Sequence, residues 1–66
     1  MRDYSRSEIE ATIEEWVLNQ RDRAVIRRRL IDGLTYESLA EEFELSVSQV
    51  KRIVYKAQEK VFRHLK

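Results

Sequence analysis

Apolar residues recur along most of the chain at the three- and four-residue steps of an α-helix. Ile9, Ile13, Trp16 and Val17 stand at i, i+4, i+7 and i+8, which gives the first segment one apolar face. Ser7-Glu8-Ile9-Glu10 has the form of a capping box, so a first helix is expected to start at Ser7, leaving residues 1–6 as a loose N-terminus. Asn19 is placed to end this helix and cap a second one over about 20–31, with Val25, Ile26, Leu30 and Ile31 facing inward. Gly33 then supplies the left-handed residue that stops it. Thr35 caps a third helix of two turns, whose inward residues are Leu39, Ala40 and Phe43. Ser46-Val47-Ser48-Gln49 is a second capping box, and the fourth helix it opens continues toward the C-terminus. Along that helix Val47, Val50, Val54, Ala57 and Val61 recur on one side, with Ile53 and Leu65 beside them.

Composition narrows this pattern to an all-α fold. There is no proline and a single glycine among 66 residues, so the helices must be joined by short turns. A chain of this length buries only about 60% of the surface it exposes when unfolded, and without cysteine it has neither a disulfide framework nor a thiolate metal site. No apolar run is long enough to span a bilayer, and a reducing cytoplasm is the expected location. The fold class expected is a four-helix domain, residues 1–66, with a C-terminal helix-turn-helix at about 35–57.

That hairpin has positional detail. With Tyr36 as its first residue, the point where the two helices must approach closely holds the small Ala40, and the other inward positions hold Leu39, Phe43, Leu45, Val50 and Ile53. The turn position that usually carries glycine holds Glu44, at a cost of roughly 1 kcal/mol for a left-handed non-glycine residue. The plain alternative is an ordinary helical hairpin within a bundle, which needs no small residue at Ala40.

A net charge of +1 conceals strong segregation: residues 1–20 sum to −3, residues 21–32 to +3, residues 33–44 to −4 and residues 45–66 to +5. A polyanion needs a local basic face, not a high overall pI. The apolar side of the fourth helix leaves Ser48, Gln49, Lys51, Arg52, Tyr55, Lys56 and Glu59 pointing outward. Ser48, Gln49 and Arg52 carry groups suited to base edges, glutamine to adenine and arginine to guanine, while Lys51 and Lys56 suit phosphates. The second helix adds Arg21, Arg23, Arg27, Arg28 and Arg29, some of which are expected to pair with Glu14, Glu15, Glu41 or Glu42.

The string from Arg21-Asp22-Arg23-Ala24-Val25-Ile26 through Gly33-Leu34-Thr35-Tyr36-Glu37-Ser38-Leu39-Ala40 to Ser46-Val47-Ser48-Gln49-Val50 and Ala57 resembles region 4 of sigma-70 family factors. That resemblance runs without gaps from about Arg21 to Arg63. It implies a domain that binds a promoter element upstream of the start site and the polymerase flap. It also implies base contacts from Val47, Ser48, Lys51 and Arg52, and backbone contacts from Arg21, Arg29 and Thr35. Val47 and Ser48 stand where the family commonly carries a charged pair that reads the −35 element. No stretch of the sequence corresponds to the domain that melts the −10 element, so in place of a complete sigma factor the expectation is a small regulator with a region 4-like domain, such as a phage or mobile-element protein, or the similarly built output domain of a response regulator.

The expected function is sequence-specific DNA binding in transcriptional regulation, with the helix starting near Val47 in the major groove. Val47, Ser48, Gln49, Lys51 and Arg52 are its base-reading candidates, and Arg21, Arg29, Thr35, Tyr55 and Lys56 its backbone candidates. The alternative is a protein-interaction module that docks on RNA polymerase or a sigma or anti-sigma partner without reading DNA, through Trp16, Phe62 and Leu65. Double-stranded DNA is the expected partner, with RNA polymerase and a homodimer through the C-terminal helix as further ones. No enzyme, metal or cofactor is expected, because the one histidine, His64, stands near a helix end and no carboxylate pair has a histidine beside it.

Overall fold

The computed structural model describes residues 4–65. Four helices follow one another: α1 over Arg6–Trp16, α2 over Gln20–Leu30, α3 over Tyr36–Phe43 and α4 over Val47–His64. Each begins at a polar cap. Asn19, Thr35 and Ser46 accept the backbone N–H of Asp22, Ser38 and Gln49, so three of the four starts follow from residues the sequence singles out.

The first start differs. Ser5, not Ser7, caps α1, its hydroxyl accepting Glu8 N–H at 3.1 Å while Glu8 Oε1 accepts Ser5 N–H at 3.1 Å. Both serines have a glutamate three residues on, and the surroundings decide between them. With Ser5 as cap, Tyr4 and Ile9 take the two positions of a hydrophobic staple, and both pack against the core. A cap at Ser7 would put Arg6 and Ala11 there instead. It would also hold Glu10 back from Arg27, to which it is bound at 3.0 Å. Residues 4–6 are therefore part of the helix start and not loose; residues 1–3 of the expected loose N-terminus lie outside the described residues.

The core lies where the four helices meet. Ile13 and Val17 from the first, Val25 and Ile26 from the second, Leu39 and Ala40 from the third, and Val50, Ile53, Val54, Ala57, Val61 and Leu65 along the fourth form one buried cluster. α4 is thus the element on which the others pack, its buried stripe running the length of an 18-residue helix. Val17 ends α1 and turns inward, which leaves Trp16 at the rim, 41% exposed, not in the core position expected of it. Its indole is covered on one side by the His64 ring, stacked at 3.6 Å with the planes 5° apart.

The two turns that orient α3 both use a left-handed residue. Gly33 has φ +71°, where an L side chain is strained, and closes α2 as expected. Glu44 has φ 55° and ψ 47°, and its conformation lets Leu45 N–H reach Ala40 O at 2.9 Å. Residues 44–46 are therefore a three-residue turn, and Leu45 packs against the core beneath it. α3, this turn and α4 make the helix-turn-helix, fixed on α2 by the shared core.

Arginines of α2 tie the outer surfaces together. Arg23 donates to Val17 O at 2.9 Å and Glu14 O at 3.2 Å, satisfying carbonyls at the end of α1 that have no partner within the helix. Arg27 meets Glu10 at 3.0 Å and Glu14 at 3.8 Å. Arg28 grips both carboxylate oxygens of Glu42, at 3.1 and 2.7 Å, and Asp32 at 3.0 Å. Its hydrogen bonds to Glu42 and then Asp32 hold the guanidinium above its ordinary pKa. No helix among the described residues is long and apolar enough to cross a membrane.

Candidate nucleic-acid interface

Successive residues of a helix are turned by about 100°, so the buried stripe of α4 fixes which side chains stand opposite it. Ser48, Arg52 and Glu59 lie near the middle of the outer face. Lys51 and Tyr55 lie on one flank, and Gln49, Lys56 and Lys60 on the other. All eight are exposed. Val47 is half-buried in the first turn, where part of its side chain packs against the core.

The first flank is an aromatic cluster shared by three helices. Lys51 Nζ lies 5.8 Å from the centroid of the Tyr36 ring, and the Arg29 guanidinium lies over the same ring at 4.4 Å. Tyr55 approaches Tyr36 edge-on, with centroids 6.2 Å apart and the planes at 87°. Arg29 is half-buried, and its Nη1 donates to Leu34 O at 2.7 Å, bracing the turn between α2 and α3. Thr35 stands at this end too, but its hydroxyl is engaged: it accepts Ser38 N–H at 3.1 Å and lies 3.0 Å from the Ser38 hydroxyl.

The second flank borders the turn between α1 and α2. Lys56 and Lys60 line a small hollow with Val17, Leu18, Asn19, Asp22 and Ala57. Arg21, at the start of α2, is exposed, and its one ion pair among the described residues is with its neighbour Asp22, at 3.4 Å. Arg21 and Arg29 are about 12 Å apart along α2, and the start of α2 borders the second flank through Asn19 and Asp22.

Gln49 has a more constrained position than its residue type suggests. Its Oε1 accepts Ser46 N–H at 2.9 Å as the second half of the capping box. Reading adenine takes both the carbonyl and the amide of a glutamine, and here the carbonyl is held by the cap. Ser48 and Arg52 carry no such commitment among the described residues. Beyond them Glu59 stands on the same line and pairs with Arg63 at 2.8 Å, so the cationic stretch of the outer face ends near Lys56.

Among the described residues the cations differ in how they are held. Arg23, Arg27 and Arg28 are bound by carboxylates that include ones from other helices, Arg6 meets Asp32, and Arg21 and Arg63 pair within their own helices with Asp22 and Glu59, whereas Arg29, Lys51, Arg52, Lys56 and Lys60 have no carboxylate partner. Tyr36 and Lys60 belong to this surface and are not among the candidates read from the sequence. Lys60 had a visible signal, four residues after Lys56 on the same flank. Tyr36 had none, because its partners come from two other helices. No group of three or more His, Asp or Glu side chains among the described residues is gathered as a metal site requires.

Comparison with known families finds that the model described as "Sigma-70, region 4" matches residues 17–63, a span that holds α2, α3 and nearly all of α4. No curated protein and no solved structure matches the chain.

Proposed function

The chain belongs to the sigma-70 region 4 family of helix-turn-helix DNA-binding regulatory domains, and from that premise we propose that it is a sequence-specific transcriptional regulator whose α4 enters the major groove by its first two and a half turns. The observation that carries this reading is the two-flanked arrangement of α4: uncommitted Ser48 and Arg52 in the middle, with Lys51 and Arg29 on one side and Lys56 and Lys60 on the other, where the start of α2 carries the exposed Arg21. A helix in the major groove has base edges in front of it and a phosphate backbone at each side. Arg52 is the reader of a guanine, Ser48 a hydrogen-bonding neighbour, and the half-exposed Val47 an apolar contact for a thymine methyl. Gln49 keeps the helix start in order and offers its amide hydrogens alone. Thr35 contributes its position at the free amides of α3, since its hydroxyl is used in the cap.

Glu59 marks where contact along the middle of the outer face ends, since a carboxylate there would be repelled by the phosphates; Lys60, on the flank, still faces the backbone. The docking alternative has the exposure of Trp16 and of Phe62 at 48% in its favour, but Leu65, the third residue expected on that surface, is buried in the core; Leu18, 76% exposed, was not among the expected residues. The family match adds nothing toward a homodimer through α4, and the interface proposed here is that of one chain.

Two substitutions test the reading. Arg52→Ala is expected to cost about 1 to 3 kcal/mol on the preferred duplex and to relax preference at one base pair. Lys56→Ala is expected to weaken preferred and random duplexes alike. Fluorescence anisotropy on both duplexes, with helical content followed by circular dichroism, measures each. Unchanged affinity in both folded variants would remove α4 from the interface.

A further inference from the structure

We propose that Tyr36 is the positioning residue of this surface, an aromatic hub that orders the cations of one flank without neutralising them. The inference rests on the DNA-binding reading above and adds to it a reason for the way the cations are held. Elsewhere on the molecule arginines are fixed by acids: Arg28 by Glu42 and Asp32, Arg27 by Glu10, Arg23 by Glu14. Each such carboxylate subtracts a charge from whatever an approaching polyanion meets. Arg29 and Lys51 are held differently, both against the ring of Tyr36, at 4.4 and 5.8 Å. An aromatic face attracts a cation through its quadrupole and carries no net charge, so the positive charge stays available.

The geometry also explains why the hub sits at this position in the chain. Tyr36 is the first residue of α3, half-buried and directly after the cap. From there its ring meets Arg29 at the end of α2 and the Lys51 and Tyr55 side chains on successive turns of α4. Long side chains ordered before binding lose less entropy on binding. Tyr36 therefore links the orientation of the recognition helix to the cations that flank it, a role distinct from core packing and from direct contact with bases.

Two measurements on Tyr36→Leu and Tyr36→Phe test this. In nuclear magnetic resonance spectra of the free wild-type protein, the Arg29 Hδ and Lys51 Hε protons should be shifted upfield by the ring, retain those shifts in Tyr36→Phe and lose them in Tyr36→Leu. With folding verified by circular dichroism, Tyr36→Leu should bind the duplex preferred by the wild type about tenfold more weakly, with a nearly unchanged salt slope, because the charges remain while their order is lost. Tyr36→Phe should bind as the wild type does. Absence of the upfield shifts in the wild type would overturn the proposal whether or not Tyr36→Leu folds. So would wild-type affinity in a folded Tyr36→Leu protein. A wild-type protein that has the shifts but binds no duplex would contradict the DNA reading and leave the hub standing.

Discussion

Affinity for duplex DNA is expected to fall about 250- to 1,000-fold when monovalent salt is raised from about 50 to about 200 mM, corresponding to a slope of roughly −4 to −5 in log K against log salt. The value follows from which cations are uncommitted. Arg29, Lys51, Lys56 and Lys60 have no carboxylate partner among the described residues, and the one ion pair of Arg21 there is with the adjacent Asp22. On the proposed reading these five would neutralise phosphates, and Arg52 would meet a base. Had all the arginines of α2 been available the slope would approach roughly −7. Arg23, Arg27 and Arg28 would have to leave Glu14, Glu10 and Glu42 for that to happen. Anisotropy titrations at four or five salt concentrations measure the slope, and a value near zero would contradict electrostatic binding through this surface.

Ala40→Leu is expected to destabilise the fold by about 1 to 3 kcal/mol. Ala40 is 8% exposed in the core that α3 shares with α4, and its carbonyl accepts the Leu45 N–H that shapes the turn. Three added carbons have no space there unless the helices part, which would break that hydrogen bond and unseat Leu45. A core this small supplies rarely more than about 3 to 5 kcal/mol, so the loss is a large share of the total. Thermal unfolding should show it as a drop of about 4 to 8 °C for each kcal/mol. A variant as stable as the parent would mean that α3 and α4 do not depend on close approach at Ala40.

The parts of the fold that the sequence discloses are those decided within a few residues. The caps at Asn19, Thr35 and Ser46, the left-handed Gly33 and Glu44, and the stripe from Val50 to Val61 all depend on side chains one to four positions apart. Where two local solutions competed, distant contacts chose. Ser5 prevailed over Ser7 through the Tyr4 and Ile9 staple positions and the Glu10 to Arg27 pair, and Val17 displaced Trp16 from the core because α1 ends one residue earlier than the apolar run. For the surface, the outer face of α4 is legible from periodicity alone. Which arginines of α2 are spent on carboxylates is legible only in part: Glu14 and Glu42 were among the expected partners, whereas Glu10 on α1 was not, and the pairing of each arginine depends on how the helices pack. The cluster around Tyr36 is hidden for the same reason: the Gly33 turn brings Arg29 back over the ring, and a third helix adds Lys51 and Tyr55. Gln49 was a partial exception, because the capping box that occupies its carbonyl is itself written locally.

The claim that the outer face of α4 carries the function is tested most directly by following the backbone amide resonances of the protein as a duplex is added. The account predicts the largest changes from Ser46 to Lys56, with further changes at Arg21, Arg29, Thr35, Tyr36 and Lys60, and little change around the hollow lined by Glu10, Ala24, Arg27, Ile31 and Phe43. Changes centred on that hollow, or on Trp16, Leu18 and Phe62 with α4 undisturbed before Lys56, would contradict it.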